Sequence, residues 1–333
     1  LGGGKNNDGD DICEAGYYAR MDDMTKYIVK RLLYVIPTFF ICTFLTFMIL
    51  ALTPGDPVAQ LVGPTATEEE IQMKREELGL NDSLIPRYAK YVTNMFRGDL
   101  GESWINGTDI FSELSVRLPN TLKLTVYSLC LTVIVGIPLG VIAAVYQNSI
   151  VDKLTLVAAL LFISIPAFFL ALIAQLLFSY YWRLLPTTGA DTFAHFIMPT
   201  VILSASQIAS QVRMTRSSML DVIQQDYIRT ATAKGASKTR VIMYHALRNG
   251  LLPVITGIGN SMAHLVSGAA IIEMIFAIPG LGAMLVNGVR SKDVPMVMGP
   301  IIFTTLFVCI INMIVDLMYA FIDPRVKLRY MKK

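Results

Sequence analysis

The sequence predicts an all-α polytopic membrane protein with six transmembrane helices. Three observations carry the prediction. Apolar stretches of about twenty residues recur along the chain, and a helix rising about 1.5 Å per residue needs roughly that many to cross a hydrocarbon core of about 30 Å. Those stretches are continuous and not alternating. Lipid offers the backbone no hydrogen-bond partners, so they read as helices and not as barrel strands. Hydrophobic residues make up 54% of 333 and charged residues 16%, a balance that a soluble domain of this size does not tolerate.

The spans follow in order. The first covers about 32–53, with "IPTFFICTFLTFMILAL" at its centre. The second covers 120–145 and the third 154–181, "LTLVAALLFISIPAFFLALIAQLLFSYY". The fourth, fifth and sixth cover 196–214, 251–276 and 297–322. The fourth and fifth are rich in Ser, Gly, Ala and Gln, which lets helices approach closely, so both are expected inside the bundle. Pro138, Pro166 and Pro199 are expected to mark bends.

Placement of charge orients the spans. With the N-terminus inside, the inner segments carry Lys26, Lys30, Arg31, Lys153, seven basic residues from Arg213 to Arg248, and Arg325, Lys327, Arg329, Lys332 and Lys333. The two short outer loops carry only Arg183, Arg290 and Lys292. The positive-inside rule therefore puts both termini in the cytoplasm.

The long segment 54–119 then falls outside. Thr67 with Glu70 three residues on forms a capping box, Ile71, Leu78 and Leu80 give the helix an apolar face, and Gly79 suits its end. "SLIPRYAKYVTNMF" reads as a second amphipathic helix with Pro86 in its first turn, and "RGDLGES" supplies turn chemistry. The segment is either a folded external loop or a lip on which an external partner docks. Residues 1–23 are polar and glycine-rich, and lack the basic start and apolar core of a signal peptide. They are expected to be a disordered tail or an artefact of start-site choice, with Met21 and Met24 both suited as starts. The expected organisation is thus 1–23, a first span in 24–53, an outer subdomain 54–119, a five-span core 120–323 containing a loop 215–250, and a tail 324–333.

Cys13, Cys42, Cys130 and Cys309 have no metal-ligand spacing and read as small core residues. His195, His245 and His264 do not cluster. No metal site is indicated.

The polar stretch "DYIRTATAKGASKTRVIMYHALRNGLLP", Asp226 to Pro253, stands between two spans. A helical pattern runs from Ser217 to Lys234, with Met219, Val222, Ile223 and Tyr227 near one face. Gly235 can take the left-handed conformation that ends a helix, and Ser237 suits the cap of the next, on which Val241, Ile242 and His245 share a face. Seven basic residues against two acids leave +5 from Arg213 to Arg248. Three explanations fit: a surface on anionic headgroups, a connector that enforces topology, or a rigid knob inserted into a soluble partner.

A resemblance selects among them. "RTATAKG" followed by "HALRNGLLP" resembles the cytoplasmic signature loop of ABC-transporter permease subunits in its peptide-importer branch. The acidic first residue of the general signature is missing, with Arg229 or Thr230 in its place, and Leu252-Pro253 comes late. Both departures are usual in that branch. The opening "KRLLYVIPTFFICTFLTFMILALTPGDP", the outer "LGLNDSLIPRYAKYVTNMFRGDLGES", "EMIFAIPGLG" and the ending "VDLMYAFIDPRVKL" also resemble the first permease of dipeptide, oligopeptide and nickel importers, in the same order. The resemblance spans about Lys26 to Leu328.

The resemblance implies a type I ABC importer permease fold and a transport subunit, not an enzyme. The partners implied are a second homologous permease, two cytoplasmic ATPases, an extracytoplasmic substrate-binding protein and the lipid bilayer of a prokaryotic cell membrane, with no nucleic acid. No Walker-type lysine loop is present, so ATP and Mg belong on the partners and this chain binds no cofactor. The coupling helix would cover Gln224, Gln225, Asp226, Tyr227, Ile228, Arg229, Thr230, Ala231, Ala233, Lys234, Gly235 and Ala236. The cargo implied is a di- or oligopeptide. The alternatives are a nickel chelate, a glutathione-like solute or, further off, an ATP-independent secondary carrier.

Polar residues in the spans complete the candidate set. Asn260, Ser261, His264 and Glu273 on the fifth span are candidates for the translocation pathway, because polar groups at membrane depth are costly and often line one. Hydrogen bonding between helices, and interfacial placement for Glu273, remain open. Asn312 and Asp316 are as well read as structural. Small residues such as Gly257, Gly259, Ala263, Ser267, Gly268 and Ala269 suit a wide, unselective cavity.

Overall fold

A computed structural model of the chain describes residues 33–54, 57–63 and 66–322. The expected tails 1–23 and 324–333, and the basic residues Lys26, Lys30 and Arg31, lie outside the described residues. Among those described, the fold is all helical, with a single isolated β-bridge between Glu102 and Asp109.

Helix α1 (Leu33–Leu52) is followed by the short α2 (Pro57–Val62), α3 (Glu68–Glu77) and α4 (Leu84–Phe96). Thr67 caps α3 as the capping box requires. Its backbone N–H donates to Glu70 Oε2 at 2.8 Å, and its Oγ1 accepts from the Glu70 N–H at 3.3 Å. Gly79 ends the helix in the left-handed region at φ +65. No residue of α3 is buried, so its expected apolar face packs on nothing deeply. Helix α4 instead lies along α1. Phe40, Phe44 and Phe47 meet Tyr88, Tyr91 and Phe96 ring to ring, and Tyr88 Oη lies 2.7 Å from Thr43 Oγ1.

Helix α5 (Ile110–Val145) runs 36 residues, starting ten before the expected span. Asp109 caps it, accepting from the Ser112 N–H at 2.7 Å. Helices α6 (Ile150–Ser164) and α7 (Ala167–Ala174) follow, the latter prolonged by a π-helical turn at Gln175–Tyr181. The expected third span is therefore broken: the two halves meet at 96°. Pro166 causes the break. It disfavours the helical region for Ile165, which is extended at ψ 125. Pro138 and Pro199, also expected at bends, lie inside helices that continue past them, α5 and α8 (Phe193–Ile223).

Helix α9 (Asp226–Ala233), the single turn α10 (Lys238–Arg240) and a π-helical stretch Val241–Ala246 lead into α11 (Leu247–Ile275). Helices α12 (Leu281–Arg290) and α13 (Val294–Ile322) close the chain. Five helices are long and apolar enough to span a membrane, and six spans result if the bent α6–α7 pair is one.

The core is a tight sandwich of α5, α8, α11 and α13, and small residues set its spacing. On α5, Thr121, Thr125, Ser128, Thr132, Gly136, Gly140 and Ala143 form one buried stripe. A Cβ on Gly140 would lie 2.5 Å from Thr215 Cβ of α8, and one on Gly136 2.9 Å from Gln211 Cβ. Gly257 of α11 packs on Met214 of α8, and Gly259 packs on Val315 of α13 so closely that no Cβ fits. Lipid gives no hydrophobic drive between spans, so this dispersion contact, with hydrogen bonds between helices such as Ser218 Oγ to Gly250 O, holds them together.

One ion pair ties α6 to α8. Arg216 Nε and Nη2 donate to the two Asp152 oxygens at 2.6 and 2.8 Å, and the Asn148 N–H donates to the same carboxylate at 2.9 Å. Asp152 is 2% exposed. At the opposite end, Ser103 Oγ donates to the buried Asp293 at 2.5 Å, and Lys292 Nζ donates to Pro54 O at 2.9 Å. These bonds tie Pro54 and Ser103 to the α12–α13 turn.

Candidate functional site

The site has two parts, a surface helix at one end of the bundle and an open face along α11. The surface helix begins where α8 stops. The expected unbroken helix through Lys234 is corrected: Gln224 closes α8, and Gln225 is extended at φ −72, ψ 149 before α9 starts. Periodicity could not show this, because both helices share one apolar side. The change also moves Tyr227 off the Met219 face, leaving it 42% exposed, and Ile228 takes the inward position at 5%.

Gly235 then turns the chain. Its φ of +81 lies in the left-handed region, where L side chains are strained. Its N–H donates to Thr232 O at 3.0 Å and the Ala236 N–H to Ala231 O at 3.3 Å, which satisfies the end of α9. Ser237 Oγ accepts from the Arg240 N–H at 3.4 Å and starts the next helix.

The base of α9 is fixed. Ile228, with Ala231 and Ala236, packs into a cluster formed by Ala144 of α5, Met219 of α8, and Val241 and Ala246. Tyr227 Oη accepts from Asn249 Nδ2 of α11 at 2.8 Å. The rest is open: Gln224, Gln225, Asp226, Arg229, Thr230, Ala233, Lys234 and Gly235 are exposed. Arg229 and Asp226 make only a loose pair at 3.8 Å, and Lys234, Lys238, Arg240 and Arg248 make none among the described residues. The result is a polar knob, held from behind by three core helices.

Along α11, Asn260, His264, Ser267 and Ile271 are exposed at helical spacing and form one stripe. A mostly polar stripe on a helix of this length does not suit lipid. Asn260 and His264, from the expected pathway set, lie on it. Ser261 does not: it is 5% exposed and faces the bundle.

Glu273 is the larger correction. It is fully buried, not at an interface and not on the stripe. Its Oε1 accepts from Thr121 Oγ1 of α5 at 2.6 Å, and its Oε2 accepts from the Ala283 N–H in the first turn of α12 at 3.0 Å. Thr121 Oγ1 in turn accepts from the Leu281 N–H at 2.8 Å. A helix N-terminus has unpaired N–H groups and attracts an acidic group, so Glu273 serves as a cap supplied from another helix. "EMIFAIPGLG" is legible in this light: Gly280 has no room for a Cβ beside the Glu273 carboxyl, and Gly282 none beside Ala270. Asn120 Nδ2 adds a bond to Pro279 O at 2.9 Å and Gln175 Nε2 one to Ile275 O at 3.1 Å. Among the described residues no group of three or more His, Cys, Asp or Glu could hold a metal ion.

Comparison with known proteins fits this geometry. Residues 136–328 match the family described as the binding-protein-dependent transport system inner membrane component, and residues 24–125 match its N-terminal companion family. The chain belongs to this family of ABC importer permeases. It is 40% identical, over 91% of its length and 99% of the relative's, to the glutathione transport system permease protein GsiC of Escherichia coli O6:H1. The GsiC of strain K12 is 39% identical over the same shares. Its fold is similar to a chain of the MetNI methionine ABC transporter solved in inward-facing conformations, with a TM-score of 0.54, 18% identity, and coverage of 64% of this chain and 97% of that one. The permease is of the dipeptide, oligopeptide and nickel importer type. It is a multi-pass transport subunit and not an enzyme, and ATP hydrolysis resides on separate subunits. Its family implies ATPase and substrate-binding partners.

Proposed function

We propose that the permease forms one half of a translocation pathway for di- or oligopeptides, completed by a second homologous permease. The exposed face of α9 and its flanks, Gln224 to Ala236, docks in a groove on one of two cytoplasmic ATPases. Closure of the ATPases on ATP draws the two docking helices together and rocks the permeases from inward- to outward-facing. An external binding protein delivers the cargo, and ATP and Mg stay on the ATPases, so this chain binds no cofactor. Both termini lie in the cytoplasm of a prokaryotic cell. The carrying observation is α9 itself: open on one face, and fixed on the other to the ends of α5, α8 and α11.

Asn260 and His264 on the α11 stripe line the pathway, and Ser261 and Glu273 act as structural residues. A stripe of neutral hydrogen-bonding groups suits cargo whose shared feature is a peptide backbone. The relatives are named for glutathione transport, which favours glutathione-like peptides over nickel chelates as the second reading.

Proteoliposomes containing both permeases, the ATPases and the binding protein test this. ATP-driven uptake of labelled dipeptides or glutathione is expected, and Thr230→Arg on the open face of α9 is expected to abolish it. Uptake of the same cargo without the ATPases contradicts the reading and favours a secondary carrier.

A further inference from the structure

Helix α11 is tied at one end to α9 and at the other to α12, with a core helix beside each tie. Near its start, Asn249 Nδ2 donates to Tyr227 Oη of α9, and Ser218 Oγ of α8 donates to the neighbouring Gly250 O at 2.7 Å. Near its end, Glu273 holds the first turn of α12 and Thr121 of α5. The two clamps are twenty-four residues apart, about 36 Å along a helix rising about 1.5 Å per residue. Between them lies the stripe with Asn260 and His264. No other helix touches α9 at one end by a side-chain hydrogen bond and α12 at the other among the described residues.

We infer that Asn249 and Glu273 are positioning residues that make α11 the connecting rod between the ATPase-docking helix α9 and α12. The inference rests on the docking reading above. Movement imposed on α9 shifts Tyr227, Tyr227 carries Asn249, and α11 moves as a unit. Glu273 then passes the displacement to α12, whose Asn287, Val289 and Arg290 are exposed at the opposite end of the bundle. The pathway stripe rides on the same rod. A demonstrated effect at one end from a change at the other is the evidence such a link requires.

The test uses the complete transporter in lipid nanodiscs, with the four native cysteines replaced by alanine and a spin label at Asn287→Cys. Label mobility is recorded with and without ATP and vanadate. A nucleotide-dependent change is expected in the otherwise unaltered complex. Asn249→Ala is expected to lose the change while Ile228 and its apolar neighbours still seat α9. Loss of the ATPases in this variant, a docking defect and not a transmission defect, overturns the inference. Asn249→Asp, which can accept from the Tyr227 hydroxyl, restores the change, which a merely structural role does not explain. Glu273→Gln reduces the change while Asn249 is intact. Persistence of the full change in Asn249→Ala overturns the inference, as does a complex that binds nucleotide with no response at Asn287. Failure of the unaltered chain to retain ATPases overturns the docking reading and the inference with it.

Discussion

Gly280 packs directly on the carboxyl group of Glu273, with no space for a Cβ between them. The contact joins two stretches of one motif across the turn from α11 to α12. Gly280→Ala forces the buried carboxyl off its partners and is expected to destabilise the permease by about 1–3 kcal/mol, the usual range for overpacking. Glu273→Ala leaves the Ala283 N–H unpaired at a similar cost. The double variant should lose less than the sum, since the two side chains share one space. Thermal unfolding of the purified complex measures all three. Additive losses contradict the cap.

Arg216 and Asp152 form a two-pronged pair with the carboxylate nearly inaccessible. Asp152→Ala strands the Arg216 guanidinium, which keeps about a fifth of its side chain in contact with solvent, and should cost about 1–3 kcal/mol. Replacing both by apolar residues of similar size, Asp152→Leu with Arg216→Met, should recover most of that loss. The yield of folded complex after detergent extraction reads the difference.

At Gly235 a Cβ would meet nothing within 4 Å, so only the backbone restricts the position. The left-handed φ of +81 costs an ordinary L residue about 1–2 kcal/mol. Asparagine tolerates that region, so Gly235→Asn should keep uptake, whereas Gly235→Ile should lose it with membrane insertion intact. Equal uptake by both variants removes the turn from the coupling account.

Tyr91 of α4 has a buried hydroxyl without a hydrogen-bond partner among the described residues, and burial pushes its pKa up. Tyr91→Phe removes an unpaired polar group while keeping the ring against Phe47. Its expected effect is neutral to about 1 kcal/mol stabilising. A clear loss in melting temperature would point to a partner for that hydroxyl.

Much of the fold could be read from local chemistry. Apolar runs located the spans, Thr67 and Glu70 located the start of α3, and Gly235 and Ser237 located the turn after α9. Each signal acts over a few residues, which is why the sequence shows it. The misses are long-range. Asp152 and Arg216 are 64 residues apart, and nothing local marks them as partners. Glu273 reads as an exposed interfacial acid until its partners Thr121 and Ala283 are seen. The three prolines were indistinguishable by type. Only Pro166 breaks its helix, because packing holds α5 and α8 together across Pro138 and Pro199. Asn249 carried no signal at all, since its bond depends on Tyr227 turning outward after the break at Gln224 and Gln225.

The central claim is that α9 is the seat of a partner ATPase. Its most direct test is gentle extraction of the chain from native membranes, followed by mass spectrometry of what accompanies it, beside the Thr230→Arg variant. The account predicts two ATPase subunits and a sister permease with the unaltered chain, and loss of the ATPases with the sister permease retained in the variant. A chain that emerges alone, or a variant that retains the ATPases in full, contradicts it.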